Sequence, residues 1–138
     1  MIIYDQYVGK WSESKDLTPI RVENIRARLL PNVASLYTYL VSQGVIFHRN
    51  PATNSEISGS QYGGFRPQSC KEGAPLSAHK EGLAVDVYDP FGEIDAYLLK
   101  HPDVLERFGI YIEHPDKTVH WSHWSVKPPK SGKHIFYP

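Results

Sequence analysis

Apolar and polar residues alternate along one stretch near the middle of the chain, residues 83–88. Successive side chains of a β-strand face opposite sides, so this alternation predicts a strand that directs Leu83, Val85 and Val87 into a core. Asp86 then faces the other side of the strand. A carboxylate at the centre of a hydrophobic strand needs a partner, because an unpaired buried charge costs free energy.

The residues before this strand predict two helices. Thr18 and Pro19 are typical of a helix start, where a capping hydroxyl precedes proline at the first helical position, and Pro31 is expected to interrupt that helix. A second helix is expected over residues 32–43, with Gly44 as its end. Apolar residues at spacings of three and four form the stripes of the two helices: Ile20, Ile25 and Leu29 in the first, and Val33, Leu36, Tyr37, Leu40 and Val41 in the second.

The remaining elements are shorter. Residues 45–48 are predicted to form a strand, and two helices are expected over residues 92–100 and from His101 to Gly109. Residues 110–113 and 119–124 read as the two strands of an antiparallel hairpin. Together these elements predict an α+β domain, in which N-terminal helices pack on a small antiparallel sheet.

Length and composition bound what the chain does. Its 138 residues suffice for one domain, in which residues 1–17 are expected to be an irregular N-terminal arm and residues 125–138 a surface tail. Fifteen basic residues balance fifteen acidic ones, which argues against nucleic acid or an anionic membrane as partner. No apolar run is long enough to span a bilayer.

Two further features of the sequence concern compartment and assembly. The N-terminal residues lack the pattern of a secretory signal, so we expect a cytoplasmic protein as synthesised. Cys70 is the single cysteine, which excludes an internal disulfide and fits a reducing compartment. We expect a monomer.

His79 precedes Asp86 by seven positions, across a glycine. An imidazole and a carboxylate are two of the three protein ligands expected at a catalytic zinc. The spacing alone is a weak signal, and two alternatives stay open at this point. His79 could be a solvated loop residue, and Asp86 could cap a turn or pair with a lysine.

A longer pattern surrounds these two residues. It reads Ser77-x-His79-x-x-Gly82-x-Ala84-x-Asp86 and is followed by Trp121-Ser122-His123. The combination resembles the zinc D-alanyl-D-alanine carboxypeptidase and L-alanyl-D-glutamate endopeptidase family, and the Hedgehog signalling domain that shares its metal site. The resemblance covers residues 63–138, about half of the chain. It implies a Hedgehog/DD-peptidase-like fold and one zinc ion per chain, bound by His79, Asp86 and His123, with water at the fourth position.

The resemblance also implies substrate-binding residues. Gly64-Phe65-Arg66 matches a Gly-aromatic-Arg element of the family, in which the arginine meets a carboxylate of the peptide substrate. A guanidinium suits this task because its planar fork makes two parallel hydrogen bonds to a carboxylate. Gln68 and Ser77 are expected nearby as polar contacts, and Trp121 beside the metal histidine. A solvated arginine in a flexible turn is the alternative.

Hydrolysis at such a site requires a general base. Glu113 is the first candidate, because it ends the strand that pairs with residues 119–124, and Tyr111-Ile112-Glu113 is similar to a segment of Hedgehog-like members. Many peptidases of the family place a glutamate three positions before the metal histidine, and this chain has His120 there. His120 and Asp116 are therefore alternative bases.

The resemblance implies zinc-dependent hydrolysis of an amide bond in the peptide stems of peptidoglycan, of the carboxypeptidase or the endopeptidase type. Residues 128–132 are similar to the tail of phage-type members, so we expect a phage or prophage lysin that reaches the wall after release, or a virion-associated protein. A non-catalytic, zinc-stabilised virion or binding module of the same fold is the alternative. A thiol nucleophile at Cys70 is a further one, although no recognisable signature surrounds it.

Overall fold

The computed structural model describes residues 1–73 and 77–138. Within these residues the chain forms five α-helices and four strands. The helices are α1 (Tyr4–Val8), α2 (Pro19–Glu23), α3 (Leu30–Ser42), α4 (Glu93–Lys100) and α5 (Pro102–Phe108), and the strands are β1 (Ala84–Tyr88), β2 (Tyr111–Glu113), β3 (Trp121–Ser125) and β4 (Ile135–Phe136). The expected α+β class is confirmed.

The N-terminal arm is more ordered than expected. Helix α1 buries Tyr7 and Val8, and the Tyr7 hydroxyl donates a hydrogen bond to the carbonyl oxygen of Ala84 in β1, with the two oxygen atoms 2.7 Å apart. The expectation of an irregular arm over residues 1–17 is therefore wrong for residues 4–8. A single helical turn carries too weak a periodicity to be recognised in sequence, and here its burial against the sheet stabilises it.

One continuous helical segment spans residues 19–42. It begins at Pro19, as predicted, and a π-helical stretch at Asn24–Leu29 joins α2 to α3. The expected interruption at Pro31 is wrong. A proline ring collides with the carbonyl of the preceding turn in a regular α-helix, and the wider π-helical turn lies directly before Pro31, where it accommodates that ring.

The apolar stripe of this segment is only partly as predicted. The residues Ile25, Leu29, Val33, Leu36 and Leu40 are buried. Ile20 and Val41 are exposed, which corrects the edges of the two expected stripes. Both lie at the margin of the stripe, beyond the residues that the core covers.

The predicted strand at residues 45–48 does not form. These residues are an extended connection with no ladder partner among the described residues. The edge of β1 is instead covered by the loop that follows. Ile57 forms a bridge with Val87, and the backbone N–H of Asp86 donates to the carbonyl of Gly63 at 2.7 Å. The loop thus satisfies the backbone of β1, which leaves no free edge there for a further strand.

The sheet is mixed rather than antiparallel. Its strand order is β1-β3-β2-β4, with antiparallel pairing of β3 to both of its neighbours and parallel pairing of β4 to β2. The predicted hairpin of β2 and β3 is confirmed. The tail, expected to lie on the surface, contributes β4, where two ring stacks, Tyr111 on His134 and His114 on Tyr137, hold it against β2.

The core lies between the long helical segment and the inner face of the sheet. Val85 and Val87 of β1 and Trp124 of β3 are buried there, as the alternation in β1 predicted. Among the described residues, no helix combines the length and the apolar character needed to cross a lipid bilayer.

A buried polar network lies beside this core, on the inner face of β3. Asp95 accepts hydrogen bonds from the hydroxyls of Ser122 at 2.5 Å and Thr118 at 3.3 Å, and Ser122 accepts one from the indole N–H of Trp124. The nearby Asp89 carboxylate accepts from the first N–H groups of α4. Burial, together with the charge of Asp89, raises the pKa of Asp95 to about 7, although the hydrogen bond from Ser122 opposes the shift.

We therefore expect Asp95 to make folding stability depend on pH. An acid whose pKa is raised in the folded state stabilises the protein below its unfolded pKa, near 3.9, and loses that contribution as pH rises through about 7. The loss amounts to at most about 4 kcal/mol, at 1.36 kcal/mol for each unit of pKa. Asp95→Asn keeps both hydroxyl partners and removes the charge.

The measurement is denaturant unfolding of both proteins in chelator at pH 4.5, 6 and 8. The variant should gain free energy of unfolding relative to the wild type as pH rises. A difference between the two proteins that is the same at all three pH values would contradict the assignment.

Candidate metal centre

The pairing of β1 with β3 brings Asp86 and His123 together. The two residues are opposite partners in the antiparallel ladder, so their side chains share one face of the sheet. That face is the one turned away from the core, because Val85, Val87 and Trp124 occupy the other. Asp86 and His123 are nevertheless largely buried, because they lie at the bottom of a cleft.

His79 reaches the same point from a short 3₁₀ turn, Ala78–Glu81, which lies just before β1. Gly82 ends this turn at φ +75°, and a Cβ atom there would lie 2.7 Å from the side chain of Ile25. Glycine is therefore required both by the left-handed backbone and by the close packing of the turn on the long helix. This packing places the ring of His79 over β1.

A backbone carbonyl fixes the tautomer of His79. Its Nδ1 atom lies 2.8 Å from the carbonyl oxygen of Gly64. A carbonyl can only accept, so Nδ1 carries the proton, and in the neutral ring Nε2 presents its lone pair to the cleft. Such a contact orients histidine ligands at many metal sites. Gly64 reaches this position because its backbone lies against Tyr7, where a Cβ atom would collide with the carbonyl of that residue.

Three ligand atoms converge at the base of the cleft. One atom from each of His79, Asp86 and His123 lies within 4.8 Å of the other two. Asp86 Oδ1 is 3.2 Å from His79 Nε2 and 2.9 Å from His123 Nδ1. Bonds of about 2.0–2.2 Å at tetrahedral angles separate zinc ligands by roughly 3.3–3.5 Å, so a small closing or opening movement of these side chains fits a tetrahedral ion.

The electrostatics of this cluster favour positive charge around Asp86. Burial by itself raises the pKa of Asp86, but the charge of His79 and hydrogen bonds to the two imidazoles outweigh it and hold that pKa far below its usual range. The pKa of His123 moves the other way. Burial lowers it, while the hydrogen bond to Asp86 and the charges of Asp86 and Glu113 raise it to above its ordinary value. The Asp86 carboxylate is thus stabilised by its contacts with the two imidazoles, and a metal ion bound by the three residues would supply positive charge at the same point.

Arg66 lies beside the cluster and is held in place. Its Nε atom donates to the carbonyl of Tyr62 at 2.7 Å, and its Nη2 atom lies 3.4 Å from Asp86 Oδ2. Gly73 makes room for the guanidinium, because a Cβ atom there would lie 2.9 Å from Nη1. The expected alternative, a solvated arginine in a flexible turn, does not describe this side chain.

The cluster opens into a cleft of about 630 Å³. Four other residues singled out from the sequence line it together with the three candidate ligands: Arg66, Ser77, Glu113 and Trp121. The ladder pairs Ile112 with Trp124, so one step further along β2 places Glu113 beside His123. The structure therefore gathers seven of the predicted site residues around one space.

Three residues singled out from the sequence lie elsewhere. His120 is exposed at a turn with φ +75°, where its Nδ1 atom is 3.2 Å from the carbonyl of Pro90, and it lines a separate cavity with Phe91. The side chain of Gln68 contacts Arg21, and its backbone N–H donates to Asp16, so it lies outside the cleft that the described residues form. Asp116 is exposed at the turn after β2, against His114.

Cys70 contributes a backbone atom rather than a nucleophile. Its carbonyl accepts a hydrogen bond from the buried ammonium group of Lys80 at 2.7 Å. In the part of the chain that the structure describes, no histidine ring bonds to its sulfur atom, so nothing there supports the thiol alternative.

Several lining residues had no signal in the sequence. Phe136 and Pro138 come from β4 and its end, and Lys127 and Lys130 from the segment after β3. A strand of two residues has no measurable alternation, so the tail reads as surface. The density of proline and lysine after His123 is the one feature that could have indicated a rigid, charged wall.

Comparison of the chain with models of protein families, with curated proteins and with solved structures finds no match. The sequence motif and the geometry of the cleft are therefore the basis for a functional assignment.

Proposed function

We propose that this protein is a zinc-dependent peptidase that cleaves an amide bond in peptidoglycan stem peptides. The observation that carries the proposal is the convergence of His79, Asp86 and His123 in one cleft with a carboxylate and a guanidinium, Glu113 and Arg66. Two imidazoles and one carboxylate are a common donor set of catalytic zinc sites. The motif resemblance supports the Hedgehog/DD-peptidase-like fold, the wall substrate and a phage-type lysin.

The residues divide the chemistry among them. Zinc, when bound by the three ligands, supplies Lewis acidity that polarises a carbonyl and acidifies water. Glu113 takes the proton from the attacking water and returns it to the leaving amine, a role that suits an ionised carboxylate at the cleft wall. Arg66 offers its guanidinium to a substrate carboxylate and so orients the peptide, while its bond to Tyr62 keeps the fork in place.

Glu113 is the preferred base because of position. It lines the cleft, whereas His120 faces a different cavity and Asp116 is exposed at a turn.

The second candidate function, a non-catalytic zinc-stabilised virion or binding module, draws on the same observation. Many family members carry a glutamate at the position that His120 occupies in this chain, and His120 points away from the cleft. Glu113 is then the one glutamate among the described lining residues.

We expect one zinc ion per chain, bound by the three residues together. Alanine at His79, Asp86 or His123 should lower zinc affinity at least about 100-fold, because each change leaves two protein ligands. Elemental analysis after dialysis against limiting zinc measures the metal content, and the zinc-induced rise in melting temperature gives a second readout. His120→Ala is the matched control and should bind zinc like the wild type. A full zinc content in His123→Ala would contradict the ligand assignment.

Glu113→Gln tests the base. The amide has the shape of the carboxylate but cannot accept a proton, so kcat should fall by about 10²- to 10⁴-fold while zinc content and folding remain. Turnover is measured on purified peptidoglycan and on a synthetic stem peptide. His120→Ala should retain activity. The reverse result, an inactive His120→Ala and an active Glu113→Gln, would make His120 the base.

A wild-type protein that binds zinc and stem peptide but never hydrolyses it would favour the binding module. Chelation separates the two functions as well. For a peptidase, a chelator should abolish hydrolysis, and added zinc should restore it.

Arg66→Lys tests substrate orientation. Lysine keeps the charge but loses the paired donors, and a lost charge-assisted hydrogen bond is worth about 1.5–3 kcal/mol, so kcat/KM should fall roughly ten- to hundredfold. The loss should be specific to peptides with a carboxylate near the cut bond and should be small for the matching carboxamide. Equal losses on both peptides, with zinc content unchanged, would mean that Arg66 acts on Asp86 rather than on substrate.

A further inference from the structure

The segment after β3 forms a stiff arm along one side of the cleft. We call residues 125–130 the lysine arm. The Ser125 hydroxyl accepts a hydrogen bond from the backbone N–H of Lys127 and donates one to the carbonyl of the same residue, so the arm leaves the strand through a fixed turn. Pro128 and Pro129 follow, and their rings restrict the backbone. Lys127 and Lys130 flank the two prolines, and both line the cleft.

The arm brings two lysines to the cleft of a protein that is neutral as a whole. The chain carries fifteen basic and fifteen acidic residues. The described lining residues of the cleft include three permanent cations, Arg66, Lys127 and Lys130, against two carboxylates. One of these carboxylates, Asp86, is already occupied by the two histidines. Glu81 pairs with Lys127 from beside the cleft, so a ligand carboxylate would meet Lys130 and compete with Glu81 for Lys127.

Lys127 forms an ion pair with Glu81 that a ligand carboxylate can displace. Its ammonium group forms an ion pair with Glu81 at 2.5 Å, at the end of the 3₁₀ turn that carries His79. Both side chains are about two-fifths exposed, so solvent screens the pair and a ligand carboxylate can compete for the ammonium. Lys130 is exposed at the end of the arm.

We propose that Lys127 and Lys130 form a second carboxylate-binding point, separate from Arg66, and select peptides that carry at least two carboxylates. The inference rests on the proposed function, because it concerns the substrate of the same cleft. It favours the L-alanyl-D-glutamate type of stem-peptide substrate, in which the D-glutamate residue adds a carboxylate, over a dipeptide end with a single terminal one. Lys127 and Lys130 are thus specificity-determining residues.

The test compares two synthetic peptides. Both peptides keep a C-terminal carboxylate, which is available to Arg66. One contains L-alanyl-D-glutamate with a free carboxylate on the D-glutamate, and the other carries a carboxamide at that position. The wild type should bind the carboxylate peptide more tightly and cleave it with the higher kcat/KM. The double variant Lys127→Gln/Lys130→Gln should reduce this preference about five- to tenfold, and each single variant about two- to fivefold, because exposed charge pairs are individually weak. The preference should also shrink at high salt.

Lys133→Gln is the matched control. It removes one exposed lysine from the same tail, outside the cleft, and should leave the preference unchanged. Glu81→Gln should act in the opposite direction, because it removes a carboxylate that competes with the peptide for Lys127. A preference that survives in the double variant, or that falls equally in Lys133→Gln, overturns the inference.

Binding measured by calorimetry keeps this test independent of hydrolysis. A carboxylate preference that depends on the two lysines supports the inference even if no peptide is cut, in which case the proposed hydrolysis alone fails. Cleavage of both peptides with no preference in the wild type refutes the second binding point and leaves the proposed peptidase function intact.

Discussion

The structure depends on one electrostatic constraint, the buried carboxylate of Asp86 between two imidazole nitrogens. Oδ1 lies 3.2 Å from His79 and 2.9 Å from His123, and the adjacent Oδ2 lies 3.4 Å from the guanidinium of Arg66. A buried carboxylate is tolerated only where positive charge or hydrogen-bond donors surround it. Each element near the cleft contributes one of them. The 3₁₀ turn supplies His79, the glycine-rich loop supplies Arg66, and the central strand supplies His123.

The two faces of β3 separate the reactive groups from the stabilising ones. His123 and Trp121 face the cleft, whereas Ser122 and Trp124 face the core, where Ser122 bonds to the buried carboxyl of Asp95. Alternation in a strand makes this division unavoidable. His120 lies just before β3 and does not reach the cleft. Its left-handed backbone forms a turn there, and its ring contacts the carbonyl of Pro90.

The long helical segment and the tail set the shape of the cleft from opposite sides. The close approach of Gly82 to Ile25 anchors the histidine turn on the helix, and the ring stacks of β4 place Phe136 at the other wall. The cluster of His79, Asp86 and His123 thus lies between the core and a short edge strand. The lysine arm lines the same space, in a chain whose basic and acidic residues balance.

Local pattern determined a large part of this arrangement. Alternation over residues 83–88 predicted which side chains of β1 share the face of Asp86, helical spacing predicted the buried residues of α3, and the motif identified the three residues that converge. These features depend on neighbours within one element, or on the chemistry of a short segment. Tertiary structure alone decided the rest: the pairing of Asp86 with His123 across 37 positions, the parallel β4, the unpaired residues 45–48 and the separation of His120 from the cleft. The reason is physical, because the partner of a strand is selected by competition among distant segments for the same backbone groups, and no local pattern records its outcome.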